Sequence, residues 1–147
     1  MKPVTRLFMA CATVCAGLLG AFAHAEQMQR LGNWEVHYVL IPTTFLNKDI
    51  AASYQIDRGR DRALVNISVL DQQGNPVIAE VTGRSTNLLG QIQSLDFQQI
   101  IEGSAVYYLA DVRHTDREVL RFEVDILPPD GLPQQLKFQQ KVYWDDP

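Results

Sequence analysis

Beyond residue 25 the sequence contains no cysteine, because Cys11 and Cys15 both lie in the first twenty-five residues. That region therefore has no disulfide and no thiol nucleophile, and packing alone must hold its fold. It also lacks an excess of basic charge. Lys2 and Arg6 belong to the same N-terminal segment, so eleven basic residues face all seventeen acidic ones beyond it. The resulting net charge of −6 excludes the basic footprint that nucleic acid demands and disfavours anionic lipid surfaces. A second long apolar run is missing too, so no later segment is expected to insert stably in a membrane. Histidine is scarce: only His37 and His114 remain after His24.

What is present begins with the N-terminus. Lys2 and Arg6 precede an uncharged apolar stretch from Leu7 to Phe22, and Ala23-His24-Ala25 offers the small residues that a signal peptidase reads. Residues 1–25 are expected to be a cleavable signal peptide, which places residues 26–147 in the periplasm as one domain. Neither cysteine suits a lipoprotein signal: Cys11 comes too early, and Val14 precedes Cys15 where a small residue is wanted. An uncleaved anchor is the alternative, since Leu7 to Ala23 is nearly long enough to span a bilayer.

The remaining 122 residues carry the alternation of strands. Trp34, Val36, Tyr38 and Leu40 share one face, with Glu35 and His37 on the other. Ala63, Val65, Ile67 and Val69 form a second stripe, opposite Asn66 and Ser68. Asp71-Gln72-Gln73-Gly74-Asn75-Pro76 reads as a turn, which makes residues 63–69 and 77–84 an expected hairpin. Residues 91–101 read as one strand, with a bulge or strand end where Ile100 and Ile101 break the alternation. Three more stripes follow, at Val106-Tyr108-Ala110-Val112, Leu120-Phe122-Val124-Ile126 and Leu136-Phe138-Val142. Asn47, Asp49, Ile50 and Tyr54 have the spacing of a capped helix of one or two turns. About seven strands with one short helix predict an all-β chain. A single antiparallel immunoglobulin-like β-sandwich is expected, with a small β-barrel as the alternative.

Several separated blocks carry a resemblance. Thr43-Thr44-Phe45-Leu46, the run Ala63 to Val69, Thr86-Asn87-Leu88-Leu89-Gly90-Gln91 and Ala105-Val106-Tyr107-Tyr108 occur in order. Together they resemble a bacterial secreted family catalogued as domain of unknown function 4426. The resemblance implies a single periplasmic β-sandwich and no activity or site residue.

No chemical motif stands out. Glu35 and His37 share a strand face but lack a third metal ligand, so a solvated face is expected. His114 and Asp116 sit in a turn, and Ser104 lacks the Gly-x-Ser-x-Gly context of a nucleophile elbow. Catalytic residues, metal ligands and cofactors are therefore not assigned. Asn66 is expected to hydrogen-bond across strands rather than hold a ligand. The aromatics on the stripes are expected in the core, whereas Tyr107 and Tyr143 fall off them and would suit an interface if they meet. The charged loop Asp57-Arg58-Gly59-Arg60-Asp61-Arg62 is the best candidate for recognition. Arg58, Arg60 and Arg62 have the chemistry to grip a carboxylate or phosphate bidentately. The expected function is a non-catalytic binding or adaptor module with an envelope protein partner. An envelope structural or quality-control accessory comes second, and a small hydrolase or metal-binding protein last.

Overall fold

A computed structural model describes residues 26–145. The segment read as a signal peptide lies outside them. Nine strands form in chain order: β1 (Gln27–Leu31), β2 (Trp34–Pro42), β3 (Arg62–Leu70), β4 (Glu80–Asn87), β5 (Ile92–Leu95), β6 (Gln98–Glu102), β7 (Ala105–Arg113), β8 (Glu118–Leu127) and β9 (Gln134–Val142). A 3-10 turn (Thr43–Phe45) and one helix, α1 (Lys48–Ser53), lie between β2 and β3. The strands make two antiparallel sheets, ordered β1-β2-β3-β7-β6 and β5-β4-β8-β9. The molecule is therefore a β-sandwich, and the barrel alternative falls away.

Alternation builds the core. Val36, Tyr38 and Leu40 of β2 and the Ala63-to-Val69 stripe of β3 face the second sheet, where Phe122, Val124, Ile126 and Leu136 are buried. Phe138 ties the layers: its ring lies 4.5 Å from Tyr38 across the sandwich and 4.6 Å from Phe122 beside it. At roughly 1.5–3 kcal/mol for each large apolar side chain buried, these stripes carry much of the stability. Asn47 caps α1 as its position suggests, its side chain accepting from the Asp49 N–H at 2.8 Å.

Three expectations need correction. The expected seven strands are nine, because half-exposed β1 pairs with β2 although its sequence, QMQRL, carries no clear apolar stripe. The expected strand 91–101 is two: β5 joins one sheet and β6 the other, with the chain crossing at Asp96-Phe97. The hairpin of 63–69 with 77–84 does not form. After a single bridge from Leu70 to Pro76, the chain leaves β3 for the second sheet. The last rung of that pairing is the Val77 N–H, which donates to the Val69 carbonyl at 2.9 Å. The Tyr108 hydroxyl instead accepts the Ala79 N–H at 2.8 Å and approaches the Val77 carbonyl at 3.4 Å, so a side chain partners the crossing segment.

The outer face of the five-stranded sheet is not simply solvated. Ile41 and Leu64 on it pack with Leu46 and with Ala51 of α1, forming a second small core joined by Val39, Ile56 and Leu109.

Candidate functional site

The charged loop is anchored before it can recognise anything. Thr43 is fully buried. Its hydroxyl accepts the Gly59 N–H at 3.0 Å and stands 3.1 Å from the Gly59 carbonyl and 3.2 Å from that of Arg62. The Asp61 carbonyl accepts the His114 N–H at 2.9 Å. A loop whose backbone is held at Gly59, Asp61 and Arg62 presents its side chains with less entropy left to lose on binding.

The three arginines point to different partners. Arg62 pairs with Asp111 at 2.7 Å on the neighbouring strand β7 and reaches Asp57 at 3.7 Å. Arg58 donates to the Thr44 carbonyl at 2.9 Å. The Arg60 guanidinium lies 4.3 Å over the ring of Trp144. Arg58 and Arg60 are exposed, and Arg62 is partly covered by its ion pair. They do not form the single bidentate grip that their spacing suggests. They join the loop instead to the Thr43–Phe45 turn and to the residues after β9.

That junction borders a cleft of about 270 Å3 lined by Phe45, Lys141, Tyr143, Trp144, Asp145 and, beneath them, buried His114. Phe45, Tyr143 and Trp144 are 37, 56 and 41% exposed, high values for large apolar side chains. The Lys141 ammonium lies 5.6 Å from the Tyr143 ring. The Thr44 hydroxyl donates to Asp145 at 2.6 Å, and the Trp144 N–H donates to Asp116 at 3.0 Å, so the rings stand on a fixed backbone. Exposed aromatics beside an arginine are the composition of an interface anchor. Phe45, Lys141 and Trp144 did not stand out in the sequence. Tyr143 did, but Tyr107 does not join it: Tyr107 lines a separate cavity beneath α1.

The other candidates separate. Ser104 precedes β7 and His114 follows it, so nine strand residues stand between them, roughly 30 Å of extended chain. They cannot share a proton. His114 is buried, and its Nδ1 is 2.9 Å from the Thr115 carbonyl, which makes that nitrogen the protonated one. Nearby Glu118 accepts from the Thr115 N–H at 2.6 Å and from the Asn87 amide at 2.8 Å. Burial pushes its carboxyl up. The hydrogen bonds from Thr115 and Asn87, with His114 close by, outweigh that and hold it below the usual carboxylate range. Among the described residues no three His, Cys, Asp or Glu side chains form a group able to hold a metal ion. His37 comes nearest, with Glu26 and Glu35 each 3.5 Å from one ring nitrogen. No helix among them is long and apolar enough to cross a membrane.

Comparison with known proteins matches the fold and the sequence blocks. The model of the family described as "Domain of unknown function (DUF4426)" matches residues 28–145. A DUF4426 family protein from Pseudomonas aeruginosa shares 30% identity, with a TM-score of 0.75 over 82% of this chain and 97% of its own. FetP of uropathogenic Escherichia coli, isolated after expression in the periplasm, has a TM-score of 0.59 at 12% identity, covering 84% and 97% of the two chains. A copper-bound single-residue variant of that FetP gives 0.60 at 10% identity, over 83% and 97%. The FetP likeness is one of fold alone. No curated protein matches the sequence.

Proposed function

From the premise that the chain belongs to the DUF4426 family, a domain of unknown function, we propose that it is a non-catalytic binding or adaptor module of the periplasm. It docks an envelope protein through the arginine-and-aromatic end of its sandwich. The observation that carries this reading is the exposed set of Phe45, Tyr143 and Trp144 around one cleft, with Arg60 stacked on Trp144. Tyr, Trp and Arg are the residues on which binding energy concentrates at protein interfaces. Arg60 and Lys141 give this end cationic contacts and Asp145 an anionic one, which suits a partner surface of mixed charge. Separation of Ser104 from His114 supports the non-catalytic part. Export rests on the leader read from residues 1–25, with FetP, expressed in the periplasm, as a fold neighbour.

A photo-crosslinker placed at Trp144 in periplasm-expressed protein tests the reading, with one at Gln73, in the turn after β3, as control. A discrete protein adduct from position 144, absent from position 73 and weakened by Arg60→Ala, supports it. Equal labelling from both positions removes it.

Copper binding is the second reading, because the FetP variant is copper-bound and one observation here favours soft-metal chemistry. Met28 is paired directly opposite His37, whose buried Nε2 makes no hydrogen bond and has the Glu35 carboxylate 3.5 Å away. Thioether and imidazole donors suit copper(I). Anaerobic copper(I) titration of the protein and of Met28→Leu and His37→Gln separates this reading from docking: tight binding lost in both variants favours copper.

A further inference from the structure

Beneath α1 lies a cavity unrelated to the docking end. Its walls are mostly apolar, from Leu46, Ile50 and Ile56 on the helix side and Leu64, Ile100 and Leu109 on the sheet, with Tyr54 and Tyr107 completing the lining. Asn66 projects into it from the middle of β3, between Val39 and Leu109 on the flanking strands. The cross-strand hydrogen bond expected for this side chain is not made: Oδ1 is buried and has no partner. Both cross-strand neighbours are aliphatic, so neither can donate. An unpaired buried acceptor is destabilising, so a ligand able to donate to Oδ1 has a hydrogen bond to gain there.

The cavity walls define that occupant. No Lys, Arg, His, Asp or Glu lines the cavity, so a charged head would be buried without compensation. The free volume is only about 30 Å3, enough for one or two waters. A single water there has Asn66, Tyr54 and Tyr107 as its polar neighbours, and a ligand must displace it. A branched or aromatic ligand is too bulky for such a slot. We propose that this cavity binds the end of an unbranched aliphatic chain bearing one uncharged hydrogen-bonding group, with Asn66 as its polar anchor and α1 as its lid. An amide can present either its oxygen or its NH2 to the ligand, so alcohols and primary amides both qualify. The lid is short, six residues, and the Tyr54 hydroxyl just past its end donates to Glu102 at 2.7 Å. That bond fastens α1 to the end of β6 and must yield for a longer chain to enter. The contact with Glu102 keeps the Tyr54 phenol protonated, its pKa raised above the ordinary value, so the fastening persists across the physiological range.

The test is titration of the purified protein with 1-octanol, octanoate and octanamide at pH 7.5, read by thermal shift and by the Asn66 side-chain amide resonances in NMR. Octanol and octanamide are expected to raise the melting temperature and move those resonances, while octanoate binds at least tenfold more weakly. Asn66→Leu is expected to weaken octanol binding at least tenfold, and Ile50→Trp, which fills the slot while keeping Asn66, to abolish it. Tyr54→Phe is expected to speed octanol binding. No response to any of the three compounds overturns the proposal, as does equal octanol binding by the wild type and Asn66→Leu, or octanoate binding as tightly as octanol. Failure of the docking reading at Trp144 leaves these outcomes unchanged.

Discussion

Replacing Asn66 by leucine should make the ligand-free protein more stable. The side chains are nearly isosteric, so the change removes one buried acceptor and leaves the backbone ladder of β3 intact. Oδ1 has no partner, and an unsatisfied buried polar group costs about 1–3 kcal/mol. Leucine recovers that cost and packs against Val39 and Leu109, its cross-strand neighbours. It also suits a strand better than asparagine. For a domain of this size each kcal/mol moves the melting temperature by about 3–6 °C, so a rise of at least about 3 °C is expected. Urea unfolding should show a higher midpoint with an unchanged slope, the sign that the native state rather than the denatured ensemble has changed. Asn66→Ala removes the same acceptor but enlarges the cavity, and the two effects should nearly cancel. The reasoning is refuted if Asn66→Leu loses more than about 1 kcal/mol, since that loss would mean the amide already has a structural partner.

Four further outcomes follow from the geometry. Gly83→Ala should cost about 3 kcal/mol, at the upper end for overpacking, because a Cβ there would stand 2.9 Å from the Glu123 backbone carbonyl and 3.3 Å from Phe97; a fall in the urea midpoint measures it. Thr43→Val keeps the shape but leaves the Gly59 N–H unpaired, so a loss of about 1–3 kcal/mol is expected, with faster hydrogen exchange in residues 57–62. Glu118→Gln tests the pH dependence. The folded carboxyl is held below its ordinary 4.5, so its stabilisation is complete above that value and disappears as pH falls through the lower folded pKa. The variant should therefore be less stable than the wild type at neutral pH and should converge with it in acid. A double-mutant cycle on Arg60 and Trp144 should give a coupling of about 0.5–1 kcal/mol, as for an exposed cation–π pair.

The sandwich was legible because apolar residues alternate along the long strands, as in Leu120 to Ile126. What the alternation could not convey was which sheet each strand joins. Residues 63–69 and 77–84 flank a good turn, yet the ladder ends at Val77 and Tyr108, far along the chain, partners the segment beyond it. The break at Asp96-Phe97 was hidden because Leu95 and Phe97 continue the same period-two pattern across two sheets. β1 was missed because a half-exposed edge strand needs no apolar stripe. At the docking end the loop arginines were visible as a charge cluster, but their partners, Thr44, Asp111 and Trp144, lie in three other segments. Asn66 was visible as a polar residue at a sheet face. That its oxygen goes unpaired depends on α1 folding over it, which no local pattern encodes.

The interleaving of the two sheets bears on how the chain reaches its native state. β1, β2 and β3 can assemble from contiguous sequence, but the other edge of β3 pairs with β7, which arrives only after β4, β5 and β6. In a chain delivered N-terminus first, β3 waits with an open row of N–H and C=O groups until residues 105–113 emerge. Such non-local pairing predicts folding in milliseconds to seconds rather than microseconds. During that interval the bare edge is a template for a neighbouring chain. A nascent molecule halted before β7 should therefore be the species that aggregates, or that a holdase captures.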